Sequence, residues 1–393
     1  MASLSFAFLL SEVIVRAVSP PYMKVLELSP YIESERGKFT RYDALTGWSG
    51  LESAKDDFVW NDAMHPVNHN RFGYRGGEYE HERSGKRRIV FLGDSFLWGF
   101  GAEGSELFTS LMERSGDLEA VNLGISGYGT DQEYLLWKNL GHKWKPDEVV
   151  LLFNAGNDLW DNLSPVRYNY QKPVFLLGED GSLELSNTPV PENQSSWLKH
   201  KQRVREDDGW FMALLRKSAL ANMVIFNAAR VDTLRELLES KGVIARRIAE
   251  ITDSEYPIYS KKQTKDVEMS WTVTLKLFDL IKSDVMRNGG RLTIVLVPNI
   301  KQVYPELWER FYKRRPKGDA NDYEVDVPNN VVKIWGKNNG VKVVDLLPHF
   351  KAAGESNPYL YFPINGHWTP EGHMLVADVL TEELGGHDSL ASQ

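Results

Sequence analysis

The sequence predicts an α/β protein: three layers, α/β/α, around a mainly parallel five-stranded sheet, with a helical insertion. Three observations predict it. Five short apolar runs are continuous rather than alternating, which marks strands covered on both faces. Helical patterns lie between most of them, as in a βαβ series. The first three runs each end in a Gly- or Asn-rich segment, where a strand gives way to a turn.

In chain order, the first run is Arg88-Ile89-Val90-Phe91-Leu92, stopped by Gly93. A helical pattern at Leu107 to Arg114 leads to Ala120-Val121-Asn122-Leu123. Gln132 to Leu140 reads as a helix and precedes Val149-Val150-Leu151-Leu152-Phe153. Val267 to Met286 is a longer helix, closed by the C-cap signal Asn288-Gly289-Gly290. Leu292 to Val297 is the fourth run, Val331 to Trp335 a short helix, and Val341 to Val344 the fifth run. The last helix runs from Pro370 to Leu384, with Thr369 as N-cap, Pro370 at its first position and Glu371 in its first turn.

The chain has 393 residues, room for one large domain or two ordinary ones. It is 42% apolar and 25% charged, which excludes a disordered, collagenous or multi-span membrane protein. A net charge of −8 argues against a nucleic-acid partner. There are no cysteines, so disulfides, thiolate nucleophiles and cysteine-bound metal centres are excluded. No His/Asp/Glu cluster has metal-ligand spacing and no Gly-rich loop precedes a Lys-Ser or Lys-Thr pair, so neither a metal nor a cofactor is expected.

Residues 1–21 form an apolar N-terminal segment. Leu4 to Val18 carries Glu12 and Arg16, and a spanning helix needs ~20 mostly apolar residues. Three readings stand: an amphipathic helix packed on the domain, an interfacial membrane helix, or the tail of a spanning helix that begins upstream. Residues 22–86 read as an irregular extension, and 87–393 as the main domain with an insertion at about 160–262. Within the insertion, 162–196 looks like loop and Trp210 to Ile251 looks helical. Lys86-Arg87-Arg88 and Lys313 to Lys317 read as solvated basic faces, with contact to an anionic polysaccharide or lipid as the sharper reading.

Four segments carry chemistry. In Gly93-Asp94-Ser95, a serine between a buried strand and a helix stands on the sheet's C-terminal edge, where a nucleophile and free N–H groups can meet a carbonyl. The alternative is that Asp94 and Ser95 only cap a helix. Asn122 to Gly129 follows the second strand and contains Gly124, Gly127 and Gly129, with Gly127 the best candidate N–H donor. Asn154-Ala155-Gly156-Asn157-Asp158 follows the third strand, and Asn157 offers a side-chain amide on the same edge. Both could instead be plain turns. In Asn365-Gly366-His367-Trp368, His367 precedes the last helix from a loop, as a general base for Ser95 would. His373 reads as structural.

In this order the four segments resemble those of the SGNH, or GDSL, hydrolase superfamily, over about Arg87 to Leu384. The Asn70 to Gly76 stretch (Asn-x-x-Gly-Tyr-Arg-Gly), Asp345-Leu346-Leu347-Pro348 and Tyr361-Phe362-Pro363 are similar to membrane-tethered bacterial members. The resemblance implies an SGNH/flavodoxin-like fold. It implies Ser95 as nucleophile, His367 as base and then acid, and an oxyanion hole from the Ser95 and Gly127 N–H groups and the Asn157 amide. It implies a serine esterase or O-acyltransferase acting on an acylated glycan, lipid or small ester. The setting would be the cell envelope, membrane-associated or periplasmic; failing that, the cytoplasm.

Two positions depart from the family pattern. Ala155 replaces a glycine. Asn365 stands in the catalytic triad where the family has an Asp, and an amide cannot stabilise an imidazolium as a carboxylate does. That leaves slow turnover, recruitment of another carboxylate such as Asp345 or Glu371, a Ser–His dyad, or a binding protein that has lost catalysis.

Overall fold

The computed structural model describes residues 2–18, 31–33, 36–60, 63–168, 170–192, 201–203, 210, 215, 217–228, 231–241, 243, 257–313, 320–362 and 366–385. Five strands form the central sheet: β1 (Arg87–Leu92), β2 (Leu118–Asn122), β3 (Glu148–Phe153), β4 (Arg291–Leu296) and β5 (Lys342–Asp345). All neighbours are parallel, in the spatial order β5-β4-β3-β1-β2.

Alternate residues of each strand enter different cores. Val90 and Leu92 of β1 and Leu151 and Phe153 of β3 face one side. There they meet Tyr134 and Trp137 of α3 (Thr130–Asn139), Trp271 and Phe278 of α5 (Lys265–Arg287) and Val332 and Trp335 of α6 (Val327–Asn339). Ile89 and Phe91 with Val150 and Leu152 face the other side. These pack on Phe108 and Met112 of α2 (Phe108–Met112) and on Val376 and Leu380 of α7 (Pro370–Gly385). Each buried Leu, Val or Phe contributes about 1.5–3 kcal/mol. Two-sided burial is therefore the physical cause of the unbroken apolar runs, and the predicted three-layer fold holds.

The caps follow the sequence. Thr264 accepts from the Val267 N–H to start α5, and Asn288 closes it before Gly289 at φ +81°. The Val331–Trp335 helix is the middle of the longer α6, which begins near Pro328.

Three expectations need correction. The 22–86 segment is not simply irregular: Thr40–Asp43 pairs with Gly47–Gly50, and Lys55–Trp60 with Ala63–Asn68. Nor is the insertion purely loop and helix. Val166–Arg167 pairs with Tyr170–Gln171, and Val174–Leu177 with Leu183–Ser186, before helices at Ala219–Ala228 and Asp232–Ser240. Such strands are too short to show a period in sequence. Finally, Arg88 is not on a solvated face. It is buried, pairs with Glu119 at 2.6 Å and donates to the carbonyls of His81, Glu82 and Trp144. Arg87 pairs with Glu148. Lys313 lies at the end of the Pro305–Lys313 helix, whose last side chains, like 314–319, lie outside the described residues.

Candidate active site

In the order β5-β4-β3-β1-β2, the direction of winding reverses between β1 and β3, and a crevice opens at their C-terminal ends. Gly93 turns the chain there. A Cβ on Gly93 would lie 3.0 Å from Leu152 and from Leu97, so the strand end has no room for a side chain. Asp94 then caps α1 (Ser95–Trp98), accepting the Phe96 N–H at 2.9 Å. Ser95 is the first residue of this helix and keeps 7% of its surface exposed.

His367 comes from the far end of the chain. Its loop returns on itself: the Phe362 N–H donates to the His367 carbonyl at 2.9 Å, and Tyr361 bridges Trp368. Its Nε2 lies 2.8 Å from the Ser95 Oγ. The ring stacks on Phe100 at 4.7 Å and 21°, and packs against Phe96 at 5.0 Å. Asn365, the candidate third member, lies outside the described residues. Of the two alternative carboxylates, Asp345 is committed to Asn329 Nδ2, the Leu347 N–H and Lys333. His373 is buried between Phe108 and Trp368, and desolvation drives its pKa down to about 3, which keeps it neutral and structural.

The second loop is fastened to the first. The Ile125 N–H donates to the Gly93 carbonyl at 3.1 Å, and the Asn122 Nδ2 to the Leu97 carbonyl at 2.9 Å. Gly124 permits this contact, because its Cβ would fall 2.5 Å from the Trp98 nitrogen. Gly127 adopts φ +75°. The third loop opens α4 (Ala155–Asp161), with Asn154 as N-cap. Asn157 Nδ2 donates to Asp94 Oδ2 at 3.0 Å, and the amide's second N–H is not used by that bond. Asn154 Nδ2 reaches the same oxygen at 3.4 Å.

The structure thus joins Ser95 with His367 directly, Asn157 with Asp94, and the Gly127 loop with Gly93. The Ala155 departure is small, since that residue only begins α4.

Sequence reasoning read Asp94 only as a possible helix cap, and it missed Arg167, Asp161, Glu133, Asp158 and Arg75. Asp94 ties two loops together. Burial raises its carboxyl pKa, against the Phe96, Asn157 and Asn154 hydrogen bonds. Arg167, in the insertion, has its Nη2 3.5 Å from the Asn157 Oδ1 and pairs with Asp161 at 3.1 Å. Burial pushes Asp161 up to about 6, although Arg167 and Lys172 pull the other way. Glu133 and Asp158 are raised well above the usual carboxylate range, first by burial and then by their acidic neighbours. Finally, Arg75 meets the end of α1. No sequence signal links these residues, because each acts across separate elements.

The chain thus folds as a doubly wound α/β sheet with a serine and an imidazole in contact at its switch point. Over its C-terminal third the chain is similar to the SGNH, or GDSL, hydrolases. Residues 256–393 match the family described as "SGNH hydrolase-like domain, acetyltransferase AlgX". No curated sequence matches. Similar solved structures include the acetyl xylan esterase AlAXEase, at 12% identity and a TM-score of 0.38, covering 76% of this chain and 99% of that one. A lipolytic protein of the G-D-S-L family from Desulfitobacterium hafniense DCB-2 is 9% identical, with a TM-score of 0.38 and the same coverages of 76% and 99%. The lipase/acylhydrolase from Enterococcus faecalis is 13% identical, with a TM-score of 0.34, covering 76% of this chain and 96% of that one.

Proposed function

We propose that this chain is an SGNH-type serine esterase or O-acyltransferase. The observation that carries the reading is the 2.8 Å contact between His367 Nε2 and Ser95 Oγ. In the proposed step, Oγ attacks the carbonyl carbon of an ester and its proton passes to Nε2. The carbonyl oxygen becomes an oxyanion, facing the Ser95 and Gly127 N–H groups and the Asn157 amide. On collapse the alcohol leaves with the proton from Nε2, and the acyl group stays on Ser95. Water or a sugar hydroxyl then attacks, gives its proton to Nε2, and releases the acyl group as Oγ takes that proton back.

Hydrolysis of a short-chain nitrophenyl ester by the parent and by Ser95→Ala tests this. The parent is expected to turn over and the variant to fall to background. Equal rates would remove Ser95 from the mechanism.

A second reading, a binding protein that keeps the cleft without turnover, is favoured by Asn365. Asn365→Asp separates the two. An active parent supports the enzyme; an inert parent that gains activity with Asp supports the weakened or inactive form.

We also propose contact with a lipid surface. Among the described residues no helix is long and apolar enough to cross a membrane. Yet the Ala2–Val18 helix turns Leu9, Leu10, Val13, Ile14 and Val18 outward. Its one acidic side chain, Glu12, turns inward and accepts from the Ser218 Oγ and the Ala219 and Leu220 N–H groups. That is the reverse of a water-facing helix, and it supports an interfacial one. Cosedimentation with anionic vesicles should fall for a Val13→Asp, Ile14→Asp double variant. Unchanged partitioning would exclude the contact.

A further inference from the structure

We propose that Arg75 is a positioning residue for the Ser95–His367 pair, acting from the N-terminal extension on the turn that ends the nucleophile helix. The proposal rests on the function given above.

The guanidinium is fully buried, and no carboxylate pairs with it among the described residues. Desolvation lowers its pKa to about 10, so it remains a cation at neutral pH. A buried charge without a counter-ion is expensive unless its N–H groups are taken up. Here backbone carbonyls take up the Nη1 and Nη2 groups, while the buried Nε–H has no partner among the described residues. Nη1 donates to Trp98 at 3.1 Å and Gly99 at 2.6 Å, and Nη2 to Ala102 at 2.6 Å. The group also lies over the Trp98 ring at 5.2 Å.

Those carbonyls close the turn that holds Ser95. The Gly99 and Phe100 N–H groups both donate to the Ser95 carbonyl, at 3.0 and 3.2 Å. A four-residue helix has little cohesion of its own. Three donations to the carbonyls of its last residue and of the turn beyond, carried on one rigid planar group, set where it ends. The same turn carries Phe100, whose ring stacks on His367. Arg75 therefore bears on the nucleophile through Ser95's backbone and on the base through Phe100.

A second anchor from the same extension supports the first. The Trp98 Nε1–H donates to His69 Nε2 at 3.1 Å, and His69 Nδ1 faces the Leu51 carbonyl at 3.1 Å. The turn packs closely on Leu107, since a Cβ on Gly99 (φ +81°) would sit 2.0 Å from that side chain.

The test uses the whole chain with Arg75→Met, Arg75→Lys and Leu380→Ala, the last a core destabilisation within α7. Ester hydrolysis, fluorophosphonate labelling of Ser95 and thermal unfolding are measured for each. Arg75→Met is expected to lower kcat about 10²-fold with KM within threefold, the scale of an ångström's misplacement of reacting groups. Labelling should slow in step. Arg75→Lys should recover part of the loss, because an ammonium keeps the charge but not the fork. Leu380→Ala should lose stability and keep kcat. If Arg75→Met labels and turns over within twofold of the parent, or if kcat follows stability alike in all variants, the proposal fails. Should Arg75→Met not fold, Arg75→Lys decides by the same criteria. If the parent neither hydrolyses esters nor takes the label, the functional reading has failed instead. Hydrogen exchange of the Gly99, Phe100 and Ala102 amides then tests the clamp. Faster exchange in the Arg75 variants upholds it as a backbone clamp, and unchanged exchange overturns it.

Discussion

The Asn157 amide donates to the Asp94 carboxylate at 3.0 Å, joining the loop after β3 to the residue immediately before Ser95. The same carboxylate caps α1 through the Phe96 N–H. One buried acid thus sets the start of α1 and turns the Nδ2 side of the Asn157 amide toward it. Arg167, near the amide's Oδ1, favours the same orientation.

Asn157→Ala should therefore lower kcat by about 10²–10³-fold, the usual loss for one oxyanion donor, with little change in stability. Steady-state kinetics on a nitrophenyl ester with a parallel thermal melt checks this. A change confined to KM would assign Asn157 to ground-state binding.

Asp94→Ala should do more. It removes the cap and leaves the Phe96 N–H and an Asn157 N–H without their acceptor, at a cost of about 2 kcal/mol. Urea unfolding should show that loss, and kcat should fall at least as far as in Asn157→Ala, because the amide is no longer held. Full activity with reduced stability would make Asp94 a cap and nothing else.

The Gly124 backbone touches α1, and an added Cβ would meet the Trp98 nitrogen at 2.5 Å and the Leu97 carbonyl carbon at 2.7 Å. Backbone atoms cannot rotate away. Gly124→Ala is expected to destabilise by about 1–3 kcal/mol, the cost of overpacking, and to lower kcat more than tenfold by pushing α1 off its seat. A melt unchanged within 1 °C would contradict that contact.

Buried His373 makes stability depend on pH. Its pKa falls from 6.5 to about 3 on folding because burial disfavours the cation. The unfolded chain then binds the extra proton below pH 6.5, so this stability is complete above that value and lost as pH falls toward 3. From pH 7 to pH 5 the group removes about 2 kcal/mol. His373→Gln should shrink the difference in unfolding free energy between those two pH values by about that amount. An unaltered difference would mean that the imidazole is already charged in the native state.

Much of the fold is legible in the sequence because its signals are local. The runs around Val90 and Leu151 are buried on both faces and stay apolar, and in the run around Ile294 the one polar residue, Thr293, is itself buried and bonded to Glu148. Gly93 and Thr369 mark a turn and a helix start by their own conformational needs. Ser95 is recognisable for the same reason, standing two residues after Gly93 and at the start of a helix. The insertion hairpins are not legible, since strands of two to four residues carry no measurable period. Arg88 reads as a surface charge because nothing near it in sequence announces Glu119 or the Trp144 carbonyl. Arg75 is harder still: its partners are main-chain carbonyls, which every residue possesses.

By itself, then, the sequence determines the strands, their two-sided burial and the edge on which the reactive side chains emerge, since these follow from polarity and backbone preference over a few neighbours. Only the tertiary structure decides that an imidazole 272 positions away comes within 2.8 Å of the Ser95 hydroxyl, and that an arginine from the extension holds the turn between them. Such distances are set by the packing of every layer at once, and no local pattern encodes a sum of that kind.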